Sequence, residues 1–466
     1  MTISTVQENR AAGKQLRTTL ARSGHAEVTR AASAERDPVA ILIDQHSSRL
    51  AGLIPVRIGR MLQSPFAYYR GTAAVMAHDL STGPRTGVEV VSCGDAHVSN
   101  FGLFASPERR LLFDLNDFDE AGNAPWEWDV KRLAASVYVG ARDIGMSEPA
   151  CTDAAEAAVR AYRESLAGLY ELSALERYYY QVDAEQLPGL TAAGNRAVVR
   201  KTVKKARSRT SEQVLAKIVT TEADGRRRIA DQPPITRHVD HATVEQLQML
   251  FERYRTTLRQ DVALLLSQFA LVDYVLRVVG VGSVGTRCYV LMFVGPHGEP
   301  LFLQAKEAQP SVLATYGGMP DALPDGVPGT GEPHTQGHRV VAAQRILQAQ
   351  SDPFLGWITG WAGEAVNKPR VDYYWRQFRD MKGSVDLAAL TPSQFTDYGV
   401  LCGGLLARAH SQSPGGAVIR GYLGQSDAFD RAVARWSRGY ADQCEADYAA
   451  LAVAVKSGRL PAEHGI

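Results

Sequence analysis

Between Cys93 and Glu120 the chain gathers side chains that could do metal-assisted chemistry. The stretch C-G-D-A-H-V-S-N-F-G sets a carboxylate, Asp95, five positions before an amide, Asn100. The run L-L-F-D-L-N-D-F-D-E follows, with Asp114, Asp117, Asp119 and Glu120. Carboxylate and amide oxygens are hard ligands that suit Mg2+, and a positioned carboxylate can accept a hydroxyl proton. So many acidic groups close together repel one another unless a cation relieves them. The blander alternative is a set of turn and cap residues beside a solvated acidic loop, because a bare D-x-x-x-x-N arises readily by chance.

A second stretch, R-V-V-G-V-G-S-V-G-T-R-C-Y-V, holds G-x-G-x-x-G at Gly280, Gly282 and Gly285, with Ser283 between them. In a dinucleotide-binding unit a helix and an acidic ribose ligand would follow. Here T-R-C-Y-V-L-M-F-V follows, β-branched and aromatic, and Lys306 stands in L-F-L-Q-A-K-E-A. That favours a strand–glycine–strand phosphate lid, with backbone N–H groups approaching phosphates and Lys306 facing the α- and β-phosphates, as in kinases. Without the glycines, Lys306 would read as a lysine reaching solvent from a strand end.

The elements that must position these residues are partly visible. Ser64 caps a helix expected from Pro65 through Leu80, and Val88 to Cys93 and Leu111 to Asp114 read as short strands. Residues 127 to 265 read mainly as helices. From Leu271 to Ala308 three antiparallel strands are expected, with another strand at 373 to 378 and helices at 337 to 350, 393 to 411 and 427 to 455. The chain of 466 residues has a formal charge of +1 and five widely spaced cysteines without a C-x-x-C pair. A disulfide scaffold and a dedicated nucleic-acid coat are excluded, and a reducing cytoplasm is the simplest location. No export signal or run of about 18 apolar residues is visible, so no membrane association is expected.

G-D-A-H-V-S-N resembles the catalytic loop of aminoglycoside phosphotransferases and choline-kinase-like enzymes, with Phe113-Asp114 and Trp128-Asp129-Val130 matching later parts. The resemblance implies Asp95 as catalytic base, Asn100 and Asp114 as magnesium ligands, Asp117 as the reserve ligand, His97 as a loop-structuring residue and Asp129 as a structural anchor. It implies ATP and Mg2+ as cofactors, with Gly280, Gly282, Ser283, Gly285 and Lys306 on the nucleotide. No acidic partner for Lys306 is evident on helix 337 to 350, where Gln344 and Arg345 stand; Glu307 and Glu332 are weak substitutes.

The order of parts is inverted, since Gly280 to Lys306 follow Asp95. The expected fold is therefore α+β and kinase-like in two lobes but circularly permuted, with a small antiparallel-sheet lobe and a large, mainly helical lobe. Its parts are a flexible arm at 1–37, the large lobe at 38–268, the small lobe and hinge at 269–384, and returning helices at 385–466. The whole chain also resembles an uncharacterised bacterial domain-of-unknown-function family (number 2252). The matches include S-P-F-x-x-Y-R-G, F-D-L-N-D-F-D-E, V-G-V-G-S-V-G-T-R and R-D-M-K-G-S.

The activity implied is ATP- and Mg-dependent transfer to a hydroxyl of a small molecule or protein, with no nucleic-acid partner. A nucleotide-binding pseudokinase, a nucleotidyl transferase and, from Asp95-x-His97, a two-metal phosphoesterase are the alternatives. Arg200 to Arg209 reads as a solvated helix face or a patch for an anionic substrate. Tyr68, Tyr69, Arg70, Trp126 and Trp128 read as packing. His334 and His338 could share a metal, though a flexible loop is the simpler reading. Oligomeric state is not legible.

Overall fold

The computed structural model describes residues 4–28, 36–187, 196–223, 225–239, 244–323, 335–360, 370–378 and 381–465. The fold is α+β. Four strands carry the acidic segment: β1 (Glu89–Ser92), β2 (Phe101–Ala105), β3 (Leu111–Leu115) and β4 (Gly122–Pro125). They form two antiparallel ladders, β1 with β4 and β2 with β3. Beneath them runs the helix Trp126–Asp143, buried on nearly every face, as expected of a helix at the centre of a domain. It packs against the helices Glu148–Leu169, Pro392–His410 and Ala428–Lys456.

Three short strands, β5 (Val219–Thr221), β6 (Arg227–Ile229) and β7 (Thr236–Arg237), precede the expected trio β8 (Ala270–Arg277), β9 (Cys288–Val294) and β10 (Pro300–Glu307). β7 to β10, with β11 (Gly356–Gly360) and β12 (Val371–Gln377), form an antiparallel six-stranded sheet in the order β11-β12-β10-β9-β8-β7, and β5 pairs separately with β6. Strand alternation divides its side chains between two cores. Leu291, Phe293, Leu301 and Leu303 pack with Phe251, Tyr254 and Leu266 of the helices Val244–Arg255 and Gln260–Leu266. Val290, Met292 and Phe302 face Val214, Ile218 and Ile229 instead. The helix Gln336–Leu347 touches β11 and β12 as well as β1 and β4, and so joins the sheet to the acidic segment.

Several expectations change. The helices Ser211–Ile218, Val244–Arg255 and Gln260–Leu266, assigned above to the helical part, pack on the sheet, because their apolar faces are what cover it. The arm expected at 1–37 contains the helix Val6–Gln15, capped by Thr5, which docks on the helix Gly416–Leu423. Gly13 allows this approach, since a Cβ there would collide with the carbonyl of Val418. The single helix expected from Pro65 to Leu80 is two, Pro65–Arg70 and Ala73–Ser81, separated at Gly71 and Thr72. Ser64 caps the first, its hydroxyl accepting from Ala67 N. All five cysteines are buried and free. Among the described residues no helix is long and apolar enough to cross a membrane. His334, Glu332 and most of the Gly317 to Gly331 loop lie outside the described residues.

Candidate functional site

β1 delivers the chain to Gly94, whose φ of +75° lies in the left-handed region and whose absent Cβ leaves room for the carbonyl of Glu120. One face of the helix Trp126–Asp143 then fixes the loop, through residues spaced three and four apart. Asp129 accepts from Cys93 N at 2.6 Å and Gly94 N at 2.9 Å. Arg132 Nε donates to Asp95 Oδ1 at 2.9 Å, and Ser136 Oγ accepts from Val98 N at 2.8 Å. His410, fully buried, lies 3.2 Å from Asp129. Asp129 thus sits where an anchor would. His97 Nε2 lies 3.6 Å from Asp95 Oδ2, and burial lowers the imidazole to about 4, so it is neutral at physiological pH. Asn100 Nδ2 donates to the carbonyls of Asp95 and Asp117, both at 3.0 Å, tying the loop to the acidic run.

Within that run the carboxylates separate. Asp114 is buried in β3 and accepts from Leu115 N and Ala349 N, each at 2.9 Å; it does not line the cleft. Asp117 and Asp119 do line it. Both reach Lys306, which is 2% exposed near the end of β10: Asp119 contacts its ammonium directly and Asp117 lies 3.5 Å away. Tyr374, across the ladder from Lys306 on β12, donates to Asp119 at 2.7 Å. The acidic partners of Lys306 are therefore on the acidic loop. The helix Gln336–Leu347 contributes Arg339, which donates to the carbonyls of Asp119 (2.9 Å), Ala121 and Gln309 (2.7 Å).

The charges shift accordingly. Burial opposes ionisation of Asp117, but Lys306, then Arg376 and Lys382, outweigh it and hold the carboxyl below its ordinary range. Burial and the neighbouring Asp117 push Asp119 up. Burial works against the Lys306 charge, yet the two carboxylates lift it well above the ordinary value. Burial lowers Lys382 to about 7, with Arg376 adding to the shift, and raises Glu120 to about 7.

The glycine stretch closes over this group. Ser283 Oγ lies 3.3 Å from Asp119 Oδ2. Its carbonyls are held by the N-terminal part of the chain: Arg60 donates to Gly280, Arg49 to Val284 and Leu50 N to Gly285. The N–H groups of Val281, Gly282 and Ser283 have no partner among the described residues. Gly280 and Gly285, at φ +70° and +94°, supply the left-handed turns.

These pieces enclose a cleft of about 490 Å³ lined by Asp95, Asn100, Asp117, Asp119, Gly280, Gly282 and Ser283. Gly285 and Lys306 do not line it. Lys382 and the arginines 49, 57, 70 and 209 also line it; sequence reasoning missed Lys382, Arg49 and Arg57, while Arg209 ends the basic run read as a solvated face or an anionic-substrate patch. Lys382 and Arg70 stood inside quoted motifs; Arg70 was read as packing. Of the basic run only Arg209 reaches the cleft, donating to the carbonyl of Lys382 at 2.7 Å, while Arg207 pairs with Glu185 at 2.7 Å. Among the described residues no group of three or more His, Cys, Asp or Glu side chains is gathered as a metal cage.

No curated protein and no solved structure matches this chain. The family described as "uncharacterized protein conserved in bacteria" (DUF2252) matches residues 49–454, a span holding both ladders, the sheet and most of the cleft lining, and the chain belongs to that family.

Proposed function

We propose that this chain is an ATP- and Mg2+-dependent phosphotransferase, kinase-like in two lobes and circularly permuted, acting on a hydroxyl of a small molecule or protein. The observation that carries the reading is that Gly280, Gly282 and Ser283 line the same cleft as Asp95, Asn100 and Asp117, although nearly two hundred residues separate the two stretches. Permutation is physically acceptable because termini can move among surface loops without changing core contacts.

In this reading the free N–H groups of Val281 to Ser283 receive phosphate oxygens, and Lys306 acts from behind Asp119 on the charge of the triphosphate. Asp95, oriented by Arg132, accepts the proton of the acceptor hydroxyl as its oxygen bonds to the γ-phosphorus. The bond from that phosphorus to the β–γ bridging oxygen breaks, and ADP leaves with the electron pair. Preorganised donors stabilise the charge that develops. The residues fit Mg2+: Asp117 Oδ1 is buried without a partner beside Asn100, and Mg2+ needs only one or two protein ligands when phosphates supply the rest. Asn100 and Asp117 would hold the ion, which supplies neutralisation of the phosphate charge.

A second reading, a nucleotide-binding pseudokinase, is favoured by the hold of Asp119 and Tyr374 on the Lys306 site. A screen of ATP consumption against a metabolite pool, with Asp95→Ala as control, separates the two. Turnover that falls about 10²- to 10⁴-fold in Asp95→Ala, the usual contribution of a positioned base, supports transfer. Nucleotide binding with no turnover against any acceptor supports the second reading, and turnover that survives the substitution removes Asp95 from its role.

A further inference from the structure

Three arginines from three different segments line the cleft: Arg49, Arg57 of the helix Ile54–Met61, and Arg70 at the end of the helix Pro65–Arg70. Arg57 is fully buried, yet only its Nη2 is engaged, by Gln45 Oε1 at 2.8 Å and the Gly71 carbonyl at 3.2 Å; Nε and Nη1 have no partner. Arg49 uses one nitrogen on the Val284 carbonyl and leaves its buried Nε unpaired, as does Arg70. Among the described residues none of the three forms an ion pair.

The carboxylates around them are otherwise engaged. Glu307 is bonded to Arg287 at 2.9 Å, Glu120 to Val312 N at 2.8 Å, Asp44 to Tyr316 at 2.6 Å and Asp95 to Arg132. Structural arginines in this molecule look different: Arg339 donates four hydrogen bonds, and Arg163 is paired with Asp430. Burying guanidinium donors without partners is costly, and the like charges of Arg49 and Arg57 add to that cost. Burial pushes Arg57 far down, Arg49 adding to the shift, and lowers Arg49 to about 10. An oxyanion relieves both costs, because guanidinium forks match phosphate and carboxylate oxygens.

We propose that Arg49, Arg57 and Arg70 form an oxyanion subsite that holds an acidic group, phosphate or carboxylate, on the acceptor. For the word acceptor the assignment rests on the phosphotransferase reading; the anion site itself does not. Arg70 feels the charge of Asp95, so an acceptor held by its acidic group would present a hydroxyl to that carboxylate. The triphosphate has its own donors in the glycine loop and Lys306.

The test uses inorganic phosphate as probe, titrated calorimetrically into the full chain saturated with Mg2+ and a non-hydrolysable ATP analogue. Phosphate should bind with the analogue in place, about ten- to hundredfold more weakly in Arg49→Gln and Arg70→Gln. Arg57→Met should act likewise, and if that variant does not fold the other two carry the result. Phosphate binding that the analogue abolishes assigns the trio to the γ-phosphate and overturns the acceptor role while leaving the phosphotransferase intact. No phosphate binding in any state, or binding unchanged by the substitutions, overturns the subsite. Trio-dependent phosphate binding to a chain that takes up no nucleotide supports the anion site and defeats the phosphotransferase.

Discussion

Asp114 and Asp117, three residues apart, have opposite environments and should fail in opposite ways. Asp114 accepts two buried backbone N–H groups, so Asp114→Ala should cost about 2 to 6 kcal/mol of stability, from about 1 to 3 kcal/mol per orphaned donor. Its Mg2+ dependence should stay unchanged, as read by chemical denaturation and by nucleotide titration at varied Mg2+. Asp117→Asn should instead weaken the Mg2+ dependence of nucleotide binding; an unchanged dependence would return the ligand role to Asp114. The sequence singled out both positions but could not choose between them, because the choice depends on which carboxylate finds backbone donors in the fold. Arg49 and Arg57 were illegible for a related reason: no spacing rule connects residues that meet only in three dimensions. A pH effect follows from Lys382 and Glu120, both near 7. As pH rises through 7, Lys382 loses its positive charge and Glu120 gains a negative one, so affinity for a polyanionic nucleotide should fall between about pH 6 and 9. Lys382→Met and Glu120→Gln should each flatten part of that fall; a flat wild-type profile would show that neither group senses the ligand.

The loop bearing Asp95 depends on Gly94, and two substitutions isolate why. Gly87 and Gly94 both have positive φ, at +78° and +75°, but a Cβ at Gly87 meets nothing whereas one at Gly94 collides with the carbonyl of Glu120. Gly87→Ala should cost only the left-handed conformation, about 1 to 2 kcal/mol. Gly94→Ala should cost about 1 to 3 kcal/mol more and lower any turnover; equal costs in denaturant unfolding would contradict the close approach. At this scale β8 to β10 were legible because β-branched and aromatic runs stand between glycine turns. β2 and β4 were not, since F-G-L-F-A and G-N-A-P become strands only against their partners. The N-terminal helix was missed because its stability comes from docking on Gly416–Leu423 rather than from its own apolar period.

Across the whole molecule, the groups that join the sheet to the helical body at the cleft include Lys306 with Asp117 and Asp119, Ser283 and Tyr374 with Asp119, Arg49 and Arg60 with the glycine stretch, and Arg339 with the acidic loop. The α+β class and the sheet were readable from the sequence. The extent of the sheet's covering was not, since the segments that form the helices Ser211–Ile218, Val244–Arg255 and Gln260–Leu266 show helical periods without saying which surface they cover. A nucleotide in the cleft would touch both parts and favour the folded chain by mass action. The most direct measurement is equilibrium unfolding of the full chain with and without Mg-ATP at a hundredfold excess over its Kd. The account predicts a gain of about 2.7 kcal/mol, retained in Asp95→Ala and reduced in Asp117→Asn. No gain with any nucleotide, at any Mg2+ concentration, would contradict it.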